Sequence, residues 1–199
     1  DATGPRGVGS VAVDDVIIAT PARIAAALLA TACPPAAELL SQCESTTVAT
    51  LVMRADLTGH PIATAQTWFI GSAWSPLVRQ VTNLSTKWHL AEPTFRITVG
   101  RQGGTPIDDL SDDDLVAITV AELRRLGLAL DPRDPIIERH RGAMPQPAPG
   151  HRERMAQLTA TLDGTGLHAG GAGIDGAGVG TAIVAGRRLA HHITSEEEN

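Results

Sequence analysis

The chain has 199 residues, 43% of them hydrophobic and 19% charged, with a formal net charge of −6. That is enough for one ordinary domain or parts of two, and the composition is neither disordered nor fibrous. An acidic balance with scattered rather than clustered arginines excludes a nucleic-acid partner, which calls for a basic face, and no apolar run reaches the length that spans a bilayer.

The opening Asp1-Ala2-Thr3-Gly4 carries no signal-peptide pattern and no initiator Met. The first regular element follows almost at once, so the chain reads as starting inside something larger. Residues 11–19 predict a strand. Its continuous run Val16-Ile17-Ile18-Ala19 suits a parallel sheet buried on both faces. Thr20 then reads as a helix N-cap with Pro21 at the first helical position, where its missing N–H costs nothing. The Ala-rich helix continues to about Ala32, Pro34-Pro35 stops it, and a short helix covers residues 36–40. Cys33 and Cys43 are too few for a disulfide framework and fit a reducing, cytoplasmic setting.

From about Thr46 the texture changes to strands separated by turns, at residues 47–53, 64–70, 77–81 and 94–99. The last alternates, with Phe95, Ile97 and Val99 on one face and Thr94, Arg96 and Thr98 on the other. This middle section predicts an antiparallel sheet. Ser111 followed by three aspartates marks a helix start, because the hydroxyl caps and the carboxylates favour the positive end of the dipole. Leu115, Ile118, Leu123 and Leu126 supply its apolar stripe, and Gly127 closes it. Residues 135–138 predict a further strand, and Pro145, Pro147 and Pro149 an irregular loop. A helix over 151–162, a strand over 166–170, a Gly-rich turn and a final helix over 178–193 complete the chain. Glu196, Glu197 and Glu198 read as a solvated tail.

The expected architecture is therefore α/β with α+β. The divisions fall at 1–44, 45–148 and 149–193, with an acidic tail at 194–199. The two α/β end pieces belong together, and the antiparallel middle is inserted between them.

The run from Gly170 to Ile183 is the most informative stretch. It follows a strand, opens a helix, and its Gly171, Gly173 and Gly176 fit G-x-G-x-x-G. Glycines let backbone approach a ligand, and a helix N-terminus presents unpaired N–H groups, which is the physics of an anion or cofactor site. No second strand with a ribose-binding acid follows, so a plain flexible turn stands as the other reading. The histidines make no metal site: His191 and His192 are neighbours on a helix and point apart, and His140 and His151 have no acid or thiol cluster beside them.

Asp175-Gly176-Ala177-Gly178-Val179, with Ala182-Ile183 and Ala185-Gly186-Arg187, resembles the closing motif of the protoporphyrinogen and coproporphyrinogen oxidases, D-G-V-G-[IV]-P. Five further blocks resemble the family in the same order. They are V-I-I-A-T-P-A at 16–22, T-N-L-S-T-K-W at 82–88, the strand ending Val99-Gly100-Arg101, L-S-D-D-D-L at 110–115, and Ala143-Met144-Pro145-Gln146 with Gly150-His151. The Ala-, Gly-, Arg- and Asp-rich texture resembles actinobacterial members, which favours coproporphyrinogen III over protoporphyrinogen IX. Four positions depart from the pattern: Gly180 for a proline, Ile174 for an aromatic, Pro147 for a tyrosine and His140 for a tryptophan. Such losses imply an altered substrate or lost activity.

The resemblance implies the C-terminal part of a two-domain FAD-binding fold with an inserted substrate domain. It implies FAD- and oxygen-dependent removal of six electrons from a porphyrinogen in haem biosynthesis, with no side-chain nucleophile and no metal. Gly171, Ala172, Asp175, Gly176, Gly178 and Val179 would meet the flavin. Lys87, Arg101 and Arg139 would meet substrate carboxylates, a solvated or structural cation being the plainer reading of each. The N-terminal dinucleotide-binding unit is not in the sequence, which implies a separate N-terminal half as partner; contact with a membrane surface stays open. Two other readings remain: a flavin amine oxidase or carotenoid-type desaturase relative, and a non-catalytic remnant that binds a partner half or a porphyrin.

Overall fold

The computed structural model describes residues 2–4, 7–55, 64–128 and 130–196. In chain order the elements are β1 (Ala2–Gly4), β2 (Gly7–Gly9), β3 (Val16–Ile18), α1 (Ala22–Leu29), α2 (Pro34–Ser41), β4 (Ser45–Arg54), β5 (Thr67–Phe69), β6 (Val78–Asn83) and α3 (Leu84–Trp88). There follow β7 (Thr94–Val99), α4 (Asp112–Arg125), β8 (Arg133–Pro145), α5 (His151–Leu162), β9 (Leu167–Ala169), α6 (Ala172–Asp175) and α7 (Val179–Glu196). They group into two compact units, one of Asp1–Glu44 with Pro145–Asn199 and one of Ser45–Met144.

In the first unit β3 and β9 pair in parallel, Val16 opposite Leu167 and Ile18 opposite Ala169. The ladder is only three residues long because β9 is, and residues 11–15, expected as part of the strand, lie outside it. β1 and β2 form a separate antiparallel pair. The core is built by Ala25 and Leu29 of α1, Ala36 and Leu40 of α2, and Met155, Leu158 and Leu162 of α5, with Ile18 and Ala169 from the strands. The i, i+3, i+4, i+7 spacing within each helix puts these residues on one face. Thr20 is not the cap expected of it. Pro21 is extended at φ −51 and ψ 144 and itself occupies the N-cap position, its carbonyl accepting from Ile24 and Ala25. Pro34 and Pro35 likewise open α2 rather than only ending α1. α7 continues to Glu196, into the stretch read as a tail, and residues 197–199 lie outside the described ones.

The second unit is a five-stranded sheet in the order β5-β6-β7-β4-β8. β4 runs antiparallel to β7, with Leu51 opposite Ile97, and β6 antiparallel to β7, with Val81 opposite Ile97. The strict alternation of β7 buries Phe95, Ile97 and Val99, which meet Leu51, Met53, Val78 and Val81 and the apolar stripe of α4. Helix α4 starts and stops on local chemistry. Ser111 Oγ accepts from Asp114 N at 3.1 Å. At the other end Gly127 stands at φ 86, where only glycine is unstrained, and two closing bonds form: Gly127 N to Arg124 O at 2.9 Å and Leu128 N to Leu123 O at 2.8 Å. β8 is far longer than the expected strand at 135–138, because Pro135 is tolerated on an edge strand that needs no ladder bond on its outer side.

Ser111→Ala is expected to destabilise the chain by about 1 kcal/mol in urea denaturation, with the slope of the transition unchanged, since it removes one cap acceptor and no packing.

Candidate functional site

The carboxyl ends of β3 and β9 deliver two loops to neighbouring positions. One is Thr20-Pro21 leading into α1, the other Gly170-Gly171 leading into α6. Gly170 N donates to Ile18 O at 3.1 Å, and Gly173 packs so close to Ala22 that an added Cβ would sit 3.1 Å from the alanine methyl. In parallel α/β sheets, ligands bind in the crevice outside the carboxyl ends of the strands, where helix N-termini converge.

Asp175 organises this turn. Its Oδ2 accepts from Gly171 N at 2.8 Å and its Oδ1 from Arg188 Nη2 at 2.7 Å. The carboxylate thus clips the start of the Gly-rich run to the middle of α7, and both its oxygens and the Gly171 amide are engaged within the protein. Gly170 lies close beneath Leu189, where an added Cβ would come within 2.7 Å of Leu189 Cδ1 and the leucine side chain would have to shift.

Beyond the clip the chain opens out. Gly176 (φ 104) and Gly178 (φ 125) lie in the glycine-favoured region. Gly178 O accepts from Ala182 N at 3.0 Å and so caps α7, whose first-turn N–H groups then have no intrahelical acceptor. Within its own unit this mouth faces open space: Val179 is 80% exposed, and nothing lies within 4 Å of a Cβ added at Gly180. Thr20 Oγ1, at the end of the neighbouring strand, is buried with no hydrogen-bond partner. The Thr20 carbonyl lies 4.0 Å from where a Gly171 Cβ would stand. An orphaned hydroxyl, an open set of amides and glycines that leave room for a close approach suit a planar, phosphate-bearing cofactor. Composition flagged the glycines, but nothing in the sequence distinguishes a capping Thr20 from an orphaned one.

The three expected carboxylate partners lie in the other unit and differ in kind. Lys87 is exposed at the end of α3, its Nζ 5.2 Å from the Trp88 ring centroid. That short helix, absent from the sequence-level expectation, is started by Asn83, whose Oδ1 accepts from Thr86 N at 3.0 Å. Arg101 is engaged with backbone: Nη2 donates to Ile70 O and to Val78 O, the latter at 2.9 Å. Burial, then the neighbouring Arg79, holds its guanidinium below the ordinary arginine pKa. Arg139 pairs with Asp112 and donates through Nη2 to Leu110 O at 2.9 Å and Ser111 O at 3.1 Å. The Nε atoms of both arginines are buried without a partner. Among the described residues no group of three histidines, cysteines or acids could hold a metal, and no helix is long and apolar enough to cross a membrane.

Residues 3–194 match the family described as flavin containing amine oxidoreductase. Curated relatives are the coproporphyrinogen III oxidases of Mycobacterium leprae (strain TN), 35% identical over 121 residues, and of Mycobacterium tuberculosis (strain H37Rv), 37% over 117. That of Bacillus subtilis (strain 168) is 29% identical over 187 residues. These alignments take in 59%, 57% and 87% of this chain but only 27%, 26% and 38% of the relatives. A solved structure from Exiguobacterium sp. 255-15, assigned as a protoporphyrinogen oxidase, superposes with TM-score 0.76 at 22% identity over 92% of this chain and 41% of that one. Reduced UDP-galactopyranose mutase follows with TM-score 0.63 at 13% identity, over 83% of this chain and 37% of that one. The fold is thus shared with both. The chain belongs to the flavin containing amine oxidoreductase family, and its resemblance to the porphyrinogen oxidases is borne out by these relatives.

Thr20→Val removes a buried hydroxyl that has no partner in the chain and is expected to stabilise it by about 1–3 kcal/mol in urea denaturation. Asp175→Ala is expected to cost about 1.5–3 kcal/mol in the same assay, as it frees the Gly171 amide and leaves Arg188 without its carboxylate.

Proposed function

We propose that this member of the flavin containing amine oxidoreductase family supplies the C-terminal portion of an FAD- and oxygen-dependent porphyrinogen oxidase of haem biosynthesis. Coproporphyrinogen III is the favoured substrate and protoporphyrinogen IX the next. The observation that carries the reading is the open, glycine-flanked start of α7 at the carboxyl ends of a parallel strand pair, where the curated relatives are porphyrinogen oxidases by name.

In this reading the unit formed by residues 1–44 and 145–199 is part of the FAD-binding domain, and residues 45–144 are the substrate domain. Gly176, Gly178 and Val179 present backbone to the ring system. Gly171, Ala172 and Asp175 shape the approach, the last by holding the turn rather than by touching the ligand. Thr20 Oγ1 takes its missing partner from the cofactor. The bound flavin would supply the two-electron acceptor that no side chain here offers, with oxygen as the terminal acceptor. Lys87 is the first choice for a substrate carboxylate, because its ammonium is exposed beside an aromatic face, whereas Arg101 and Arg139 serve the substrate chiefly by bracing their own loops.

A partner half accounts for a second feature. Val16 and Ile17 of β3, Ile24 and Leu28 of α1, and Ile183 and Val184 of α7 are all exposed. A strand and two helices with bare apolar side chains are what a larger sheet and its helices would cover. The surroundings expected are cytoplasmic. The reading of a non-catalytic binder draws on His140 and Pro147, both exposed where the porphyrinogen oxidases carry aromatics.

The decisive experiment is purification of the chain alone and with a co-expressed N-terminal half of a mycobacterial relative, followed by flavin absorbance and by porphyrin fluorescence on addition of coproporphyrinogen III. A yellow, active complex is expected, and colourless protein under both conditions would overturn the reading. Val179→Glu is expected to leave folding intact, because a carboxylate suits a helix N-terminus, while lowering FAD affinity roughly tenfold or more by placing charge in the mouth. Lys87→Ala is expected to raise KM for the porphyrinogen several-fold with kcat little changed, as removal of a uniform binding contact does.

A further inference from the structure

His168 lies in the middle of β9 and is 6% exposed, yet nothing in the proposed chemistry uses it. Its Nε2 is 2.7 Å from Asp15 Oδ1, on the segment that leads into β3, across 153 residues of sequence. Its ring meets that of His192, on the last turns of α7, edge to face with centroids 5.6 Å apart and planes at 84°. His192 Nε2 in turn lies 3.9 Å from Asp163 Oδ1, at the end of α5. The two rings line a cavity of about 150 Å³ whose other walls include Leu158, Leu162 and Leu189.

Helix α7 is otherwise lightly held. Among its described residues Ala185 is buried, with Thr181, Leu189 and Ile193 half-buried along the same stripe; Ala182, Ile183, Val184, Gly186 and Arg187 are exposed. Among the described residues its polar ties to its own unit include the Arg188–Asp175 pair at 2.7 Å in the middle and the His192 contacts near the end. A rod fixed at two points along its length has a set direction, whereas one fixed at a single point can swing.

We propose that His168 and His192 are positioning residues, a ring-on-ring latch that fixes the far end of α7 and with it the direction in which the helix N-terminus points. Asp15 fixes the His168 ring by accepting one of its hydrogen bonds, and the fixed ring offers His192 a rigid seat. The consequence for function rests on the reading of α7 as the cofactor-facing helix; the latch itself does not.

The test is hydrogen exchange of the α7 amides in the full chain, without cofactor. His192→Ala is expected to speed exchange across α7 roughly tenfold. His192→Phe, which keeps an aromatic edge, should stay close to the parent, and imidazole added to His192→Ala should restore protection by filling the vacated part of the solvent-accessible cavity. His168→Gln, which keeps a donor for Asp15 but loses the ring, should resemble His192→Ala. Unchanged exchange in His192→Ala would overturn the proposal, and so would loosening that neither phenylalanine nor imidazole reverses, since the ring contact would then not be the cause. Failure of the parent chain and its complemented form to bind FAD would remove the functional reading and leave these exchange results standing.

Discussion

The parallel pairing of β3 with β9 is the constraint on which the first unit depends. Six residues, three from each strand, bring together segments from opposite ends of the chain. Closing so long a loop is entropically costly, so the ladder cannot stand on its own bonds. It is held by the helices that pack on Ile18 and Ala169, by the Asp15–His168 bond, and by Gly170 N donating back to Ile18 O. Because the strands run in the same direction, their carboxyl ends fall side by side. Thr20 and the Gly-rich turn therefore become neighbours without any contact between them being encoded locally. The proposed ligand site is a consequence of strand direction first and of glycine second.

The same pairing explains which parts of the architecture were legible in sequence. Elements that carry their own punctuation are legible to within a residue or two. β7 declares itself by alternation and α4 by Ser111 and Gly127. Elements whose limits are set by a partner are not legible in this way. β3 is shorter than its apolar run because β9 has only three residues to offer, and β8 is longer than its apolar run because edge position makes Pro135 harmless. The short helix α3 had a cap in Asn83 but too few residues for any periodicity, and α6 is a single turn enforced by Asp175 reaching back to Gly171.

Charged residues show a deeper limit. Lys87, Arg101 and Arg139 look alike as lone cations in sequence. In the fold, two of the three are buttresses: their guanidiniums donate to the carbonyls of Ile70, Val78, Leu110 and Ser111. Planar guanidinium can serve several carbonyls at once, and an ammonium on a flexible stem is poorly suited to that task. It is consistent with this that the residue left exposed is the lysine. His192 makes the complementary point. Sequence spacing rules out a pair with His191 and says nothing of His168, which reaches it only because β9 and α7 pack together.

The four departures from the porphyrinogen oxidase pattern can be weighed by where they fall. Gly180 stands at the second position of α7 with open space around it, so replacing a proline there loosens the unfolded chain more than it disturbs the folded helix. Ile174 is half-buried against the first unit's core, where an aliphatic side chain can keep the apolar contact an aromatic would make. His140 and Pro147 are exposed, and no packing demand in the described fold compensates for what an aromatic at either position would supply. The scaffold departures are thus structurally mild, and the surface departures fall on side chains free to meet a ligand. A change of substrate or a loss of turnover would accordingly arise from altered recognition on an intact frame, with the Gly-rich turn the last part to be affected.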